Sequence, residues 1–198
     1  MTEPEPIRVP APDAIGDIVP GDPPVPITVW YVSAARTGET MSMALAERLI
    51  INFTHGRRLV IDLSVGDQIA RAASTTRRRY TRHTAQDLDA GTRRGELIVA
   101  GWPQPHTQPE AFLADCATRV MAGGCVAIVL RAGALTVNQL LIGAARAAGL
   151  TYLQHIVAAH ELSDRRGQLR TDGTHLPVHS DVLIFSSSLG ARSGAADG

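Results

Sequence analysis

LVIDLSVGDQIA, residues 59–70, decides how the chain is read. A short apolar run from Leu59 ends in Asp62. Gly66 stands four residues on, and a helix-like run begins after it. A buried strand, a glycine turn and a helix form the outline of a nucleotide-cofactor loop, in which glycine lets the backbone approach a ligand closely. Such loops usually carry two or three glycines. This one has a single glycine before the helix, with Asp67 and Gln68 following it.

Outward from this stretch, strands and helices alternate. Ile27–Val32 reads as a short apolar strand. Met41–Asn52 has apolar residues at helical spacing, with Ser42 as N-cap. Leu59–Val65 reads as a buried strand, and Asp67–Ser74 as a short helix capped by Asp67. Arg79–Ala85 and Glu96–Gly101 read as strands. Gln108–Met121 reads as a helix closed by Gly123 and Gly124. Cys125–Leu130 is a strand, Thr136–Ala148 a helix ended by Gly149, Tyr152–Ala159 a strand and Asp181–Ser187 the last strand. Alternation of this kind predicts an α/β fold with a mostly parallel sheet covered on both faces. The last two strands have only a polar loop between them. A hairpin there would put one antiparallel strand into the sheet.

Residues 1–26 hold eight of the twelve prolines, which predicts a flexible arm. Residues 189–198 predict a flexible tail, leaving 27–188 as the folded domain. Apolar residues make up 44% of the chain but aromatics only 4%, so the core must be built from Ala, Val, Leu and Ile. Nineteen basic residues balance nineteen acidic ones, so there is no global pull toward nucleic acid. Every fixed positive side chain is Arg, which suits either a coding bias or recognition of phosphate and carboxylate by guanidinium forks. Cys116 and Cys125 read as buried free thiols. No signal peptide opens the chain and no apolar run reaches the ~18 residues of a membrane span, so the expected location is the cytoplasm, with no membrane partner.

The order WYVSAARTGETMSMALAERLI…LVIDLSVG, with the closing HSDVLIF, resembles DNA methylases of the N4-cytosine/N6-adenine type as found in actinobacteria. These are S-adenosylmethionine-dependent enzymes of the class I, Rossmann-like methyltransferase fold. The resemblance covers residues 27–188 and rests on order and texture. It implies a trimmed version of that fold, with S-adenosylmethionine as cofactor and DNA as partner.

The resemblance also locates the departures. The family's Asp-Pro-x-x-Gly-x-Gly loop falls on Asp62 to Gln68. Asp62 and Gly66 match, Leu63 replaces the proline and Gln68 the second glycine. The catalytic Asp/Asn/Ser-Pro-Pro-aromatic motif falls on Val99-Ala100-Gly101-Trp102-Pro103-Gln104-Pro105. That motif holds the target amine through carbonyl acceptors and stacks an aromatic on the extruded base. Trp102 can stack and Pro103 can stiffen the loop, while Gln104 or His106 would have to replace the missing acceptor. Between the second helix and the Leu97 strand lie about 20 residues where the full fold has two strands and a helix. Asp87 is the candidate acid for the adenine side, and no acid presents itself for the ribose. Three weakened parts predict a catalytically degenerate protein that has lost the cofactor and acts by binding DNA, a partner protein or its own copy. An active enzyme with divergent motifs is the alternative.

Arg77, Arg78, Arg79 and Arg82 form the densest basic stretch and the candidate nucleic-acid contact. Arg93 and Arg94 lie near it in sequence, Arg57 and Arg58 precede the first central strand, and Arg165, Arg166 and Arg170 form a second set. On a strand, Arg77 and Arg79 would face one way and Arg78 the other. The histidines and cysteines lack the spacing of a metal site, so no metal is expected. A sheet shorn of outer strands exposes an edge, which makes a homo-oligomer a further expectation.

Overall fold

The computed structural model describes residues 18–19, 25–84, 93–131, 135–160 and 179–188. Eight strands form the sheet: β1 (Ile18–Val19), β2 (Val25–Val32), β3 (Leu59–Leu63), β4 (Arg79–Arg82), β5 (Gly95–Trp102), β6 (Val120–Arg131), β7 (Leu150–His160) and β8 (His179–Ser187). Their spatial order is β1-β2-β7-β8-β6-β5-β3-β4. The pairs β2/β7, β3/β4, β3/β5 and β5/β6 are parallel. β8 lies antiparallel between β6 and β7, where the expected hairpin puts it.

Among the described residues four helices cover the faces: α1 (Met43–Phe53), α2 (Gln68–Thr75), α3 (Pro109–Arg119) and α4 (Leu135–Ala147). One face packs Leu45, Leu49 and Ile50 of α1 and Ile69 of α2 against Val60, Leu97, Val99 and Ile184. The other packs Phe112 and Leu113 of α3 and Leu141 of α4 against Ile61, Ile98, Ile128 and Leu183. Neighbouring strand residues thus serve opposite cores, which explains the unbroken apolar runs of β3, β5 and β6. Each such Leu or Ile contributes about 1.5–3 kcal/mol by leaving water.

Local chemistry sets the helix ends. The Leu45 N–H donates to Ser42 Oγ at 3.3 Å, so Ser42 is the N-cap of α1. Pro109 fits the first turn of α3, where its missing N–H costs nothing. Gly149, at φ +78°, ends the α4 segment.

Several boundaries differ from expectation. α3 stops at Arg119, and Gly123 and Gly124 belong to β6 rather than to a helix end. A Cβ on Gly124 would meet the Glu96 carbonyl oxygen at 2.7 Å, so the glycine allows close approach between strands. Asp67 holds the N-cap position of α2, but its side chain makes no capping bond; it reaches Arg71 at 3.9 Å instead. Thr136 lies inside α4, which begins at Leu135. The sheet begins before Ile27, because β1 pairs with Val25 and Pro26 inside the proline-rich stretch. Arg77 is not in a strand: it sits in a turn at φ +56°, and β4 starts at Arg79. Cys116 is buried as expected, while Cys125 is only partly so.

Candidate functional site

The parallel strands β3, β4 and β5 end on one edge of the sheet, and there the Asp62–Gln68 loop meets the Trp102–Gln104 loop. Asp62 is fully buried at the end of β3. Its Oδ1 accepts from the Ser64 N–H at 2.9 Å and from Ser64 Oγ at 2.6 Å. Its Oδ2 accepts from Tyr80 Oη at 2.9 Å and from Arg82 Nη2 at 2.9 Å and Nε at 3.3 Å. Tyr80 and Arg82 alternate along β4, so both point to the same side as Asp62, which pairs in register with Arg82. A buried carboxylate needs an opposite charge and satisfied lone pairs, and this one has both.

The same cluster sets the protonation of its members. Burial, with the charge of Asp62 and the hydrogen bond to it, pushes the Tyr80 hydroxyl up to about 12. The hydrogen bond to Asp62 raises Arg82 above its ordinary value. Both shifts keep protons on the two donors that hold the acid.

The glycine loop is filled by the chain itself. Gly66 has φ +116°, a conformation that excludes most side chains. The space a Cβ on Gly66 would need is taken by the side-chain oxygen of Gln68. Gln68 is 5% exposed, and its Oε1 is buried without a hydrogen-bond partner. Arg82 Nη2 also donates to the Gly66 carbonyl, tying β4 across the loop.

The neighbouring segments are stapled in the same way. The Thr40 N–H donates to the Val65 carbonyl at 2.9 Å, and the Val65 N–H returns a bond to Thr40 Oγ1 at 2.8 Å. A Cβ on Gly101 would meet Thr40 Oγ1 at 2.8 Å, so the segment before α1 rests on the end of β5. Gln104 Nε2 donates to the Leu63 carbonyl at 2.9 Å and to the Gly101 carbonyl at 2.7 Å. Trp102 is half-buried, its ring 5.5 Å from that of Phe112 on α3. The Trp102–Pro103 peptide bond is cis.

The structure therefore brings together Asp62, Gly66, Gln68 and Arg82, with Gln104 bonded to the Leu63 carbonyl beside them. It places Trp102 and Pro103 on the adjoining loop. Asp87, Arg165, Arg166 and Arg170 lie outside the described residues. Arg78 is turned inward: its guanidinium donates to Thr54 Oγ1 and to the carbonyls of Thr54 and Thr76. Arg77 and Arg79 are exposed at the opposite end of β4 from Arg82. Tyr80 and Thr40 do not stand out in the sequence. The signal for Tyr80 is its two-residue spacing from Arg82; nothing local marks Thr40.

No described protein family matches the chain, and no curated protein does. Solved structures do. The chain is similar to the precorrin-6y C5,15-methyltransferase of Geobacter metallireducens GS-15, with TM-score 0.56 and 11% identity over 79% of this chain and 94% of that one. It is also similar to a TehB-like SAM-dependent methyltransferase of Corynebacterium glutamicum (TM-score 0.45, 15% identity, 72% and 87% covered). A third is the N-methyltransferase NodS of Bradyrhizobium japonicum (TM-score 0.43, 18% identity, 82% and 85% covered). The first of these matches, together with the sheet order above, gives the fold as the class I methyltransferase, Rossmann-like arrangement. Among the described residues no helix is long and apolar enough to cross a membrane. No group of three or more His, Cys, Asp or Glu side chains placed to hold a metal ion occurs among them.

Proposed function

We propose that this chain is a methyltransferase-fold protein that has given up S-adenosylmethionine and serves as a binding or regulatory module for DNA or a partner protein. The observation that carries the reading is the Gln68 side chain lodged in the space beside Gly66. A cofactor loop needs that space for close approach of ligand and backbone. Arg82 supports the same reading. A Rossmann-type site uses an acid near the end of the second strand for ribose hydroxyls. Here the end of β4 carries a cation already bonded to Asp62 and to the loop. Asp67, exposed beside Gly66, adds negative charge that repels a carboxylate. These residues do not fit S-adenosylmethionine, and they provide no route for methyl transfer from it.

The test is calorimetric titration with S-adenosylmethionine and S-adenosylhomocysteine. Silence up to millimolar ligand is expected, and micromolar binding overturns the reading. The second reading is an active DNA methyltransferase of the N4-cytosine/N6-adenine type with divergent motifs. It draws support from Asp62 and Gly66 keeping the loop positions of such a family and from Trp102 standing on the neighbouring loop. Self-association along the short strand β4, last in the order of the described sheet, belongs to the module reading. A monomer by light scattering at high concentration would remove it.

A further inference from the structure

The sheet's other edge carries a row of arginines that the cofactor-loop reading does not use. Arg57 and Arg58 precede β3, Arg77 and Arg79 flank the start of β4, and Arg93 and Arg94 precede β5. These three strands are mutually parallel neighbours, so all six residues gather on the edge where the strands begin. This edge lies opposite the Gly66 loop, about 17 Å away along a five-residue strand. All six are exposed, and among the described residues none of the six has an ion pair.

The row is built rather than scattered. The Arg57 N–H donates to the Arg77 carbonyl at 3.3 Å, and the Arg79 N–H to the Arg58 carbonyl at 2.9 Å. Arg57 and Arg77 both hold left-handed backbone, at φ +62° and +56°, which non-glycine residues rarely adopt. Below them Arg78 fixes the turn to the end of α1. Glu96, which feels the charge of Arg58, is mostly buried and engaged by the ring and backbone N–H of His55. No large apolar side chain is exposed in the segments that carry the row, so it lacks what a membrane-inserting surface needs.

We infer that this arginine edge binds the phosphodiester backbone of a nucleic-acid duplex. Guanidinium forks match phosphate oxygens in pairs. Three adjacent strands spread them over about 10 Å, which matches about three phosphates of one strand at ~3.4 Å of helix axis each. Such contact reads charge and spacing, not base sequence. The inference rests on the module reading above and names its partner; the cofactor titration and the duplex titration fail separately.

The experiment is fluorescence anisotropy of the full chain with labelled duplex DNA, and with duplex RNA, over a range of salt. Binding is expected to fall linearly in log–log form with a slope near −3, for about three neutralised phosphates. Arg77→Gln with Arg79→Gln should weaken binding at least tenfold and make the slope shallower by about 2. Arg36→Gln with Arg71→Gln removes the same charge elsewhere and should leave both unchanged. DNA and RNA bound alike support backbone recognition; a preference for one assigns the duplex type. No binding at low salt, a flat salt response, or equal loss in both double variants overturns the inference. So does binding of polyglutamate or anionic vesicles with duplex silent.

Discussion

Arg82 reaches across from β4 to Asp62 at 2.9 Å, and the same guanidinium nitrogen also holds the carbonyl of Gly66. One side chain thus neutralises a fully buried acid and fixes the loop that follows it. Arg82→Ala would leave Asp62 buried with only neutral donors. Loss of a partner from a buried pair costs about 3–5 kcal/mol. Arg82 is 46% exposed, so water can reach the vacated side, and about 2 kcal/mol is expected. Denaturant unfolding measures this, and a loss below about 0.5 kcal/mol would show that the pair is a surface contact.

Gly66 and Gln68 should be energetically coupled. Gly66→Ala places a methyl group against the Gln68 side chain in a left-handed backbone, and a loss of about 2–4 kcal/mol is expected. Gln68→Ala alone removes a buried oxygen that has no partner, so it should cost under about 1 kcal/mol. In the Gln68→Ala background only the backbone strain at Gly66 remains. The double-mutant cycle should therefore show about 1 kcal/mol or more of coupling. Strict additivity would mean that the glutamine does not occupy this space.

Tyr80 makes stability depend on alkaline pH. Its hydroxyl is pushed up to about 12 in the folded chain, against about 10 when unfolded. The folded state therefore holds its proton more tightly. Its contribution is complete below pH 10 and is lost as pH rises through about 12. Unfolding followed from pH 9 to 12 should show this decline, and Tyr80→Phe should flatten it. An identical decline in that variant would place the effect elsewhere.

The two thiols should be slow to react. Burial pushes Cys116 far above the ordinary thiol range, with Asp115 adding to it, and burial with the charge of Glu96 pushes Cys125 to about 11. The thiolate is the reactive form. At neutral pH a thiol-exchange reagent should leave Cys116 untouched in the folded chain and label the half-buried Cys125 slowly. Rapid labelling of both would signal local opening around α3.

How much of this could be read from the sequence follows from range. The apolar runs of β3, β5 and β6 announce themselves because buried parallel strands need apolar residues on both faces. Ser42 announces α1 because capping is local chemistry. Gly123 and Gly124 mislead for the opposite reason. A glycine pair after a helical run looks like a stop, but Gly124 answers to the Glu96 carbonyl on another strand. The departures at Leu63 and Gln68 are visible as letters, while what Gln68 does with the freed space depends on packing. The Asp62–Arg82 contact needs the register of two parallel strands, which no window of sequence contains. Arg77 to Arg82 read as one basic run, yet the structure sends Arg78 inward and puts Arg82 at the other edge from Arg77.

The pairing of β2 with β7 has a consequence for how the chain is made. Ile27 lies beside His155, a partner that emerges from the ribosome more than a hundred residues later. β3, β4 and β5 can join in order as they appear, but β2, with only β1 beside it, must wait for β7 through most of synthesis. Long-range parallel pairing is slow because loop closure comes before the contacts that reward it. β8, which joins β7 to β6, emerges later still, so docking of β2 onto the sheet is a late step of assembly. In a truncated or stalled chain, β2 is the segment left open to capture by chaperones or by another copy.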